Sequence, residues 1–182
     1  MCQCFFRREK QLEKTHRRLT RSLKWIALLD IEELNEFCFD NRENNISLNS
    51  SALRNPAFIR EASDKFGKQC ICIAVDAKWE EEHQDWYCYT HGGKQRTDKR
   101  VLDWVQEVEA LGAGELLITS MTHDGMKQGF DVSHLHEIEK LVNIPVIASG
   151  GGGNPEHFVD LFKETNVSAG LAASILHDKE TT

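Results

Sequence analysis

No stretch of this 182-residue chain is both long and apolar enough to span a membrane. The N-terminus also lacks the apolar h-region of a secretory signal. None of the six cysteines (Cys2, Cys4, Cys38, Cys70, Cys72 and Cys88) stands in a CxxC pair, so zinc-ribbon and thioredoxin-type readings fail on spacing. The cysteine usage reads as a reducing, cytoplasmic protein. No histidine pair has metal-ligand spacing, and neither a metal nor a cofactor is expected. An excess of positive charge is missing too. The formal net charge of −7 argues against nucleic acid or an anionic membrane as partner. The exception is local: residues 1–25 carry eight Lys or Arg against only Glu9 and Glu13, and those two acids weigh against an organellar transit peptide.

What remains is ordinary globular composition, 40% hydrophobic and 28% charged, in a chain long enough for one domain with a sizeable core. From residue 46 onward a rhythm is visible. Short apolar runs, "ISL" (46–48), "CICIAV" (70–75), "ELLIT" (115–119), "IPVIAS" (144–149) and "AGLAAS" (169–174), are separated by stretches of helical length. The runs are mostly continuous rather than alternating, as parallel strands buried on both faces require. Asn55-Pro56 and Asn154-Pro155 read as a cap followed by proline at the first helical position, Asp131 as a capping acid, and Gly67 and Gly112 as helix stops. Val101, Trp104, Val105, Val108 and Leu111 form one helical stripe. Cys70 and Cys72 are expected on one strand face as small hydrophobes. The repeated strand–helix order predicts a parallel sheet covered by helices, an α/β fold.

Two segments depart from the rhythm. Residues 78–99 are too long and polar for a plain connection, and "DWYCYTHGG" within them suggests a small hairpin over the sheet end. Residues 1–45 form a basic, atypical segment with two candidate helices and no strand of the same kind. The domain division is therefore 1–45 and 46–182.

Ligands of such folds bind beyond the C-terminal ends of the strands, so those positions are the candidates. Asp76 follows the second run; an acid there pairs as readily with Lys78 or a neighbouring amide as with a substrate. Thr119 ends the third run and either bonds inward or packs in the core. Asn49 and Ser50 follow the first run and read equally as a helix cap. The loop after "ELLIT" holds Asp124-Gly125 and Gly129, and the next run leads into "GGGGNPEH". Glycines running into a helix N-terminus let backbone amides converge on an anion, with the helix dipole favouring negative charge. With Ser149 and the strand end Ala173-Ser174, they match the phosphate site found after the last two strands of a (β/α)8 barrel. His134, His136 and His157 are expected at helix surfaces or caps, and His91 and His123 in loops near the same face.

Taken in order, "ISLNSSAL", "CIAVDAK", "YTHGGK", "DWVQEVEALGAGELLITSMTHDGMKQGFD", "IPVIASGGGGNPEHF" and "AGLAASILH" resemble the cyclase subunit of imidazole glycerol phosphate synthase from about residue 46 to 180. The resemblance implies a (β/α)8 TIM-barrel fold and a role in histidine biosynthesis. There, ammonia from a glutaminase subunit cleaves and cyclises a substrate with a phosphate at each end. The products are imidazole glycerol phosphate and an aminoimidazole carboxamide ribotide. It implies catalysis by Asp76, with Thr119 beside the reacting portion. One phosphate would be held by Asp124, Gly125, Ser149, Gly150, Gly151, Ala173 and Ser174, and the other by Asn49 and Ser50. Glu115 matches an acid of the family's ammonia gate.

The family's opening strand carries "CLDV", whose Asp is a second catalytic acid, and a later "VGGGI" segment cradles the other phosphate. Residues 1–45 contain neither, and "RENN" stands where the family has a turn like "GADK". The expectation is thus an incomplete barrel keeping strands four to eight, altered upstream by a frameshift or similar event and shortened at its C-terminus. Weak or absent turnover and self-association through exposed interior and open strand edges follow from it. Two other readings are a non-catalytic phosphate-binding or interaction half-barrel and the sister sugar-phosphate isomerase of the same pathway. "YTHGGK" and the long excursion before it favour the cyclase.

Overall fold

Continuous runs of Ile, Val and Leu form strands with both faces covered, and five of them lie side by side here. The computed structural model describes residues 4–7 and 46–172. Its strands are β1 (Cys4–Arg7), β2 (Ile46–Leu48), β3 (Ile71–Glu80), β4 (Asp85–Thr90), β5 (Gln95–Arg100), β6 (Glu115–Ser120), β7 (Val146–Ser149) and β8 (Ala169–Ala172). Its helices are α1 (Ser50–Arg54), α2 (Ala57–Phe66), α3 (Val101–Leu111), α4 (Val132–Glu139) and α5 (Pro155–Glu164). The sheet order is β1-β8-β7-β6-β3-β4-β5, with β2 also against β3. All neighbours in the series β2, β3, β6, β7, β8 are parallel. This is the α/β sheet of an incomplete (β/α)8 barrel. The two candidate helices between residues 8 and 45 lie outside the described residues.

Alternation along each strand divides the core in two. Ile71, Ile73, Val75 and Ala77 pack with the helices, where Trp104, Val105 and Val108 of the α3 stripe are fully buried. Cys72 and Ala74 point the other way and cluster with Leu117, Ile147, Ala169 and Leu171. All six of these inner-face residues are less than 5% exposed, so the exposure expected of an opened barrel interior is not found at these positions. Nor is the outer edge of β8 open, because β1 pairs with it antiparallel, Cys4 opposite Ala172 and Arg7 opposite Ala169. Cys70 departs from expectation: it ends a 3₁₀ turn, Lys68–Cys70, ahead of β3 and packs on the helix side. A 3₁₀ turn breaks the two-residue period, so Cys70 and Cys72 do not share a face.

The caps are as read from sequence at two of three helices. Asp131 Oδ1 accepts from the His134 amide at 3.1 Å, and Asn154 Oδ1 from the His157 amide at 2.9 Å. Asn55 does not cap α2, because its side chain makes no such bond. Its carbonyl accepts the Phe58 amide instead, and Pro56 takes the cap position.

The long excursion is a hairpin. β3 continues past residue 75 to Glu80, pairing β4 antiparallel from Asp76 opposite Tyr89 to Glu80 opposite Asp85. β4 then returns as β5, held by an Arg100–Asp85 ion pair at 2.6 Å and a Lys99–Glu107 pair to α3. The hairpin docks on α4 through Trp86, whose ring stacks on His134 at 4.0 Å and 4°. His134 is therefore not a surface histidine; it is 2% exposed, and its Nε2 has no hydrogen-bond partner among the described residues.

Burial pushes the His134 pKa down from 6.5 to about 4, against the nearby carboxylates of Asp131 and Asp85 and helped by His123. The unfolded chain thus binds a proton that the fold refuses, so stability is full above pH 6.5 and falls as pH drops from 6.5 toward 4. The loss amounts to roughly 2 kcal/mol by pH 5. Thermal unfolding at pH 7.5 and pH 5 should show this, and His134→Phe, which keeps the stack and removes the titration, should flatten the difference. An unchanged pH dependence in the variant would assign it elsewhere.

Candidate active site

Parallel register decides which side chains meet at the C-terminal ends of the strands. Asp76 lies opposite Thr119, Thr119 opposite Ser149, and Ser149 opposite Leu171, in one row across β3, β6, β7 and β8. Asp76 is not at a strand end as its sequence suggests. It stands where β3 exchanges its β2 partner for β4.

Asp76 bonds to a neighbouring amide rather than to Lys78. Its Oδ2 accepts from Asn49 Nδ2 at 3.2 Å, while the Lys78 ammonium lies over the Tyr89 ring at 5.3 Å. Burial raises the Asp76 pKa, the Asn49 bond partly offsets this, and the charge of Asp124 raises it further. A carboxyl group so placed holds a proton more readily than a solvated one, which suits proton transfer to and from a substrate. Asn49, read from sequence as a phosphate ligand, has its amide on this carboxylate. Its Oδ1 is buried with no partner among the described residues. Ser50 begins α1 immediately beside it.

Four strand residues further back, Glu115 opens β6 opposite Cys72, at the other end of the sheet. The Cys72 thiol is pushed up, first by burial and then by Glu115.

The loops after β6 and β7 form the second part of the site. In the first, the Asp124 amide bonds the Ser120 carbonyl at 2.9 Å and the Met126 amide the His123 carbonyl at 3.1 Å. The Gly129 amide then reaches the Gly151 carbonyl at 2.9 Å, joining the two loops. Gly150 and Gly151 have φ of +90° and +98°, and a Cβ on Gly151 would lie 1.9 Å from the Gly129 carbonyl oxygen. Only glycine permits that backbone and that approach. Between the loops is a pocket lined by Asp124, Gly125, Ser149, Gly150 and Gly151, all five expected from sequence. Leu171, Gly152 and Lys127 complete it. Lys127 was missed; its signal is a basic residue between two turn glycines, Gly125 and Gly129. Ala173 and Ser174 lie outside the described residues.

The histidines have local duties. His123 Nδ1 is 3.0 Å from Ser120 Oγ and 3.6 Å from Asp131, tying its loop to the start of α4. His91 stays in the hairpin turn, 3.0 Å from Thr90 Oγ1. His157 Nδ1 accepts from the Gly153 amide at 3.1 Å. Among the described residues no group of three or more His, Cys, Asp or Glu is arranged to hold a metal ion, and no helix is long and apolar enough to cross a membrane.

A family model described as a histidine biosynthesis protein matches residues 28–182. The chain belongs to this family. Within it, the chain is similar to proteins named imidazole glycerol phosphate synthase subunit HisF. Over 137 residues it is 88% identical to that of Staphylococcus saprophyticus subsp. saprophyticus, 75% to that of Staphylococcus carnosus and 69% to that of Staphylococcus aureus. Each match covers 75% of this chain and 54% of the relative. The chain thus spans about half the length of the curated relatives it matches, the half that carries the Asp76 row and the glycine loops.

Proposed function

We propose that the chain is the Asp76-bearing part of the cyclase subunit of imidazole glycerol phosphate synthase. The observation that carries this is the half-buried Asp76 carboxyl group, its pKa raised, in one row across the parallel strands with Ser149 of the glycine-lined pocket. A phosphate held by the Gly125, Gly150 and Gly151 backbone would fix one end of the substrate. The reacting portion would then lie over Thr119 and Asp76, and Asp76 would shuttle protons during amination and ring closure. Ammonia would come from a glutaminase subunit docked at the opposite end of the sheet, beside Glu115. Asn49 would orient the Asp76 carboxyl, and with Ser50 it would approach the second phosphate. The setting is the cytoplasm, with no metal or cofactor.

The test is an ammonia-dependent assay with the bis-phosphorylated substrate, run beside a binding titration. The 182-residue polypeptide is expected to bind the substrate, with the Gly150 and Gly151 amides shifting in NMR spectra. Its turnover should be very slow, because only one of the two acids that the resemblance implies is within its sequence. Failure of the folded chain to bind the substrate would overturn the reading. Turnover near that of a whole relative would overturn the expected weakness.

A further inference from the structure

We propose that His123 is a positioning residue of the anion pocket: its Nδ1 clasps the two ends of the β6 loop and so holds the Gly125 backbone in place for a phosphate. The inference rests on the phosphate reading above and assigns it a residue that does not line the pocket. The loop, residues 121–131, needs such a device. Thr122, Asp124, Gly125, Met126 and Gln128 are all exposed, so its middle has little packing to hold it. Amides can serve an anion only if they are held in one arrangement before it arrives.

His123 meets a fixed partner at each end of the loop. At the start, its Nδ1 is 3.0 Å from Ser120 Oγ. Ser120 is 3% exposed and paired with Ala77 in the sheet. At the far end, the same nitrogen is 3.6 Å from Asp131 Oδ2. The Asp131 carboxylate cannot follow the loop, because its Oδ1 accepts from Ser133 Oγ at 2.9 Å and from the His134 amide at 3.1 Å. A carboxylate oxygen only accepts, so the tautomer that suits both partners carries its hydrogen on Nδ1. The backbone of His123 passes this constraint on. Its carbonyl accepts the Met126 amide at 3.1 Å, which closes the turn around Asp124 and Gly125. The opposite wall of the pocket begins beside it: a Cβ on Gly151 would lie 3.3 Å from the His123 Cβ. One imidazole thus joins strand, helix cap and both loops, and side chains fixed on rigid elements hold a site better than a free loop does.

The test uses inorganic phosphate as probe, with binding read from the Gly125, Gly150 and Gly151 amide shifts. His123→Leu should weaken phosphate at least about fivefold and speed hydrogen exchange at residues 124–128, while the β6 and β7 amides keep their protection. The two amide replacements separate the ring nitrogens. His123→Asn places a polar atom where Nδ1 stands and should stay within about twofold of the original chain, whereas His123→Gln places it nearer Nε2 and should match His123→Leu. Adding Ser120→Ala to His123→Leu should cost little more, because both remove the same contact. Unchanged affinity in His123→Leu, equal losses in the Asn and Gln variants, or additive losses with Ser120→Ala would each overturn the clasp and leave the pocket standing. No phosphate shifts in the folded original chain would instead overturn the phosphate reading itself.

Discussion

Asp76→Asn is expected to reduce whatever ammonia-dependent turnover the chain supports by at least about 100-fold, while phosphate affinity stays within about twofold. The substitution keeps the shape of the side chain and removes its ability to give and take a proton. It should not cost stability. Burial disfavours the charged carboxylate, and the Asn49 bond returns only part of that loss. Because the folded-state pKa is raised, Asp76 favours the fold at acid pH and opposes it as pH rises through that pKa. A neutral asparagine is free of this cost, so the melting temperature at pH 7.5 should be unchanged or higher. Function lost with stability kept or gained is the signature of a group placed for chemistry. A collapse of phosphate affinity together with a fall of several degrees would show instead that Asp76 supports the sheet.

Gly151→Ala should have the largest effect on ligand binding, a loss of phosphate affinity on the order of 100-fold, with roughly 2 kcal/mol of stability lost. The added methyl would lie 1.9 Å from the Gly129 carbonyl oxygen, a backbone atom that cannot rotate away. The β6 loop would have to retreat, taking Asp124, Gly125 and Lys127 with it and breaking the Gly129–Gly151 hydrogen bond. Gly92→Ala is the matched control. Its φ is also positive, +65°, but a Cβ there meets nothing within 4 Å, so only the conformational penalty of about 1 kcal/mol remains. Phosphate titration of both variants checks the pair. An equal, small effect in both would mean that the two loops move independently and that their contact does not shape the pocket.

The phosphate side of the site was the most readable from sequence, because its chemistry is local. Glycines, a following helix cap and a small residue at the strand end are adjacent in the chain, and their meaning does not depend on distant partners. The acid side was readable only as a candidate. Asp76 owes its raised pKa to burial and to Asp124, 48 residues away along the chain, with Asn49, 27 residues away, offsetting part of the rise. Neither neighbour is implied by the residues around it. Nor could the run "CICIAV" show that its strand continues to Glu80, because that extension is created by pairing with β4.

By itself the sequence determined the strand–helix rhythm from residue 46, two of the three caps, the glycine loops and, through ordered motifs, the family. All of these depend on periodicity or on neighbours within a few residues. Only the tertiary structure decided that β1 covers β8, that Cys70 and Cys72 part to opposite faces, and that His134 lies buried on Trp86. It alone brought Asn49 onto Asp76 and Lys127 into the pocket. Those outcomes turn on register and on which loop closes over which strand end, and contacts between distant segments set both.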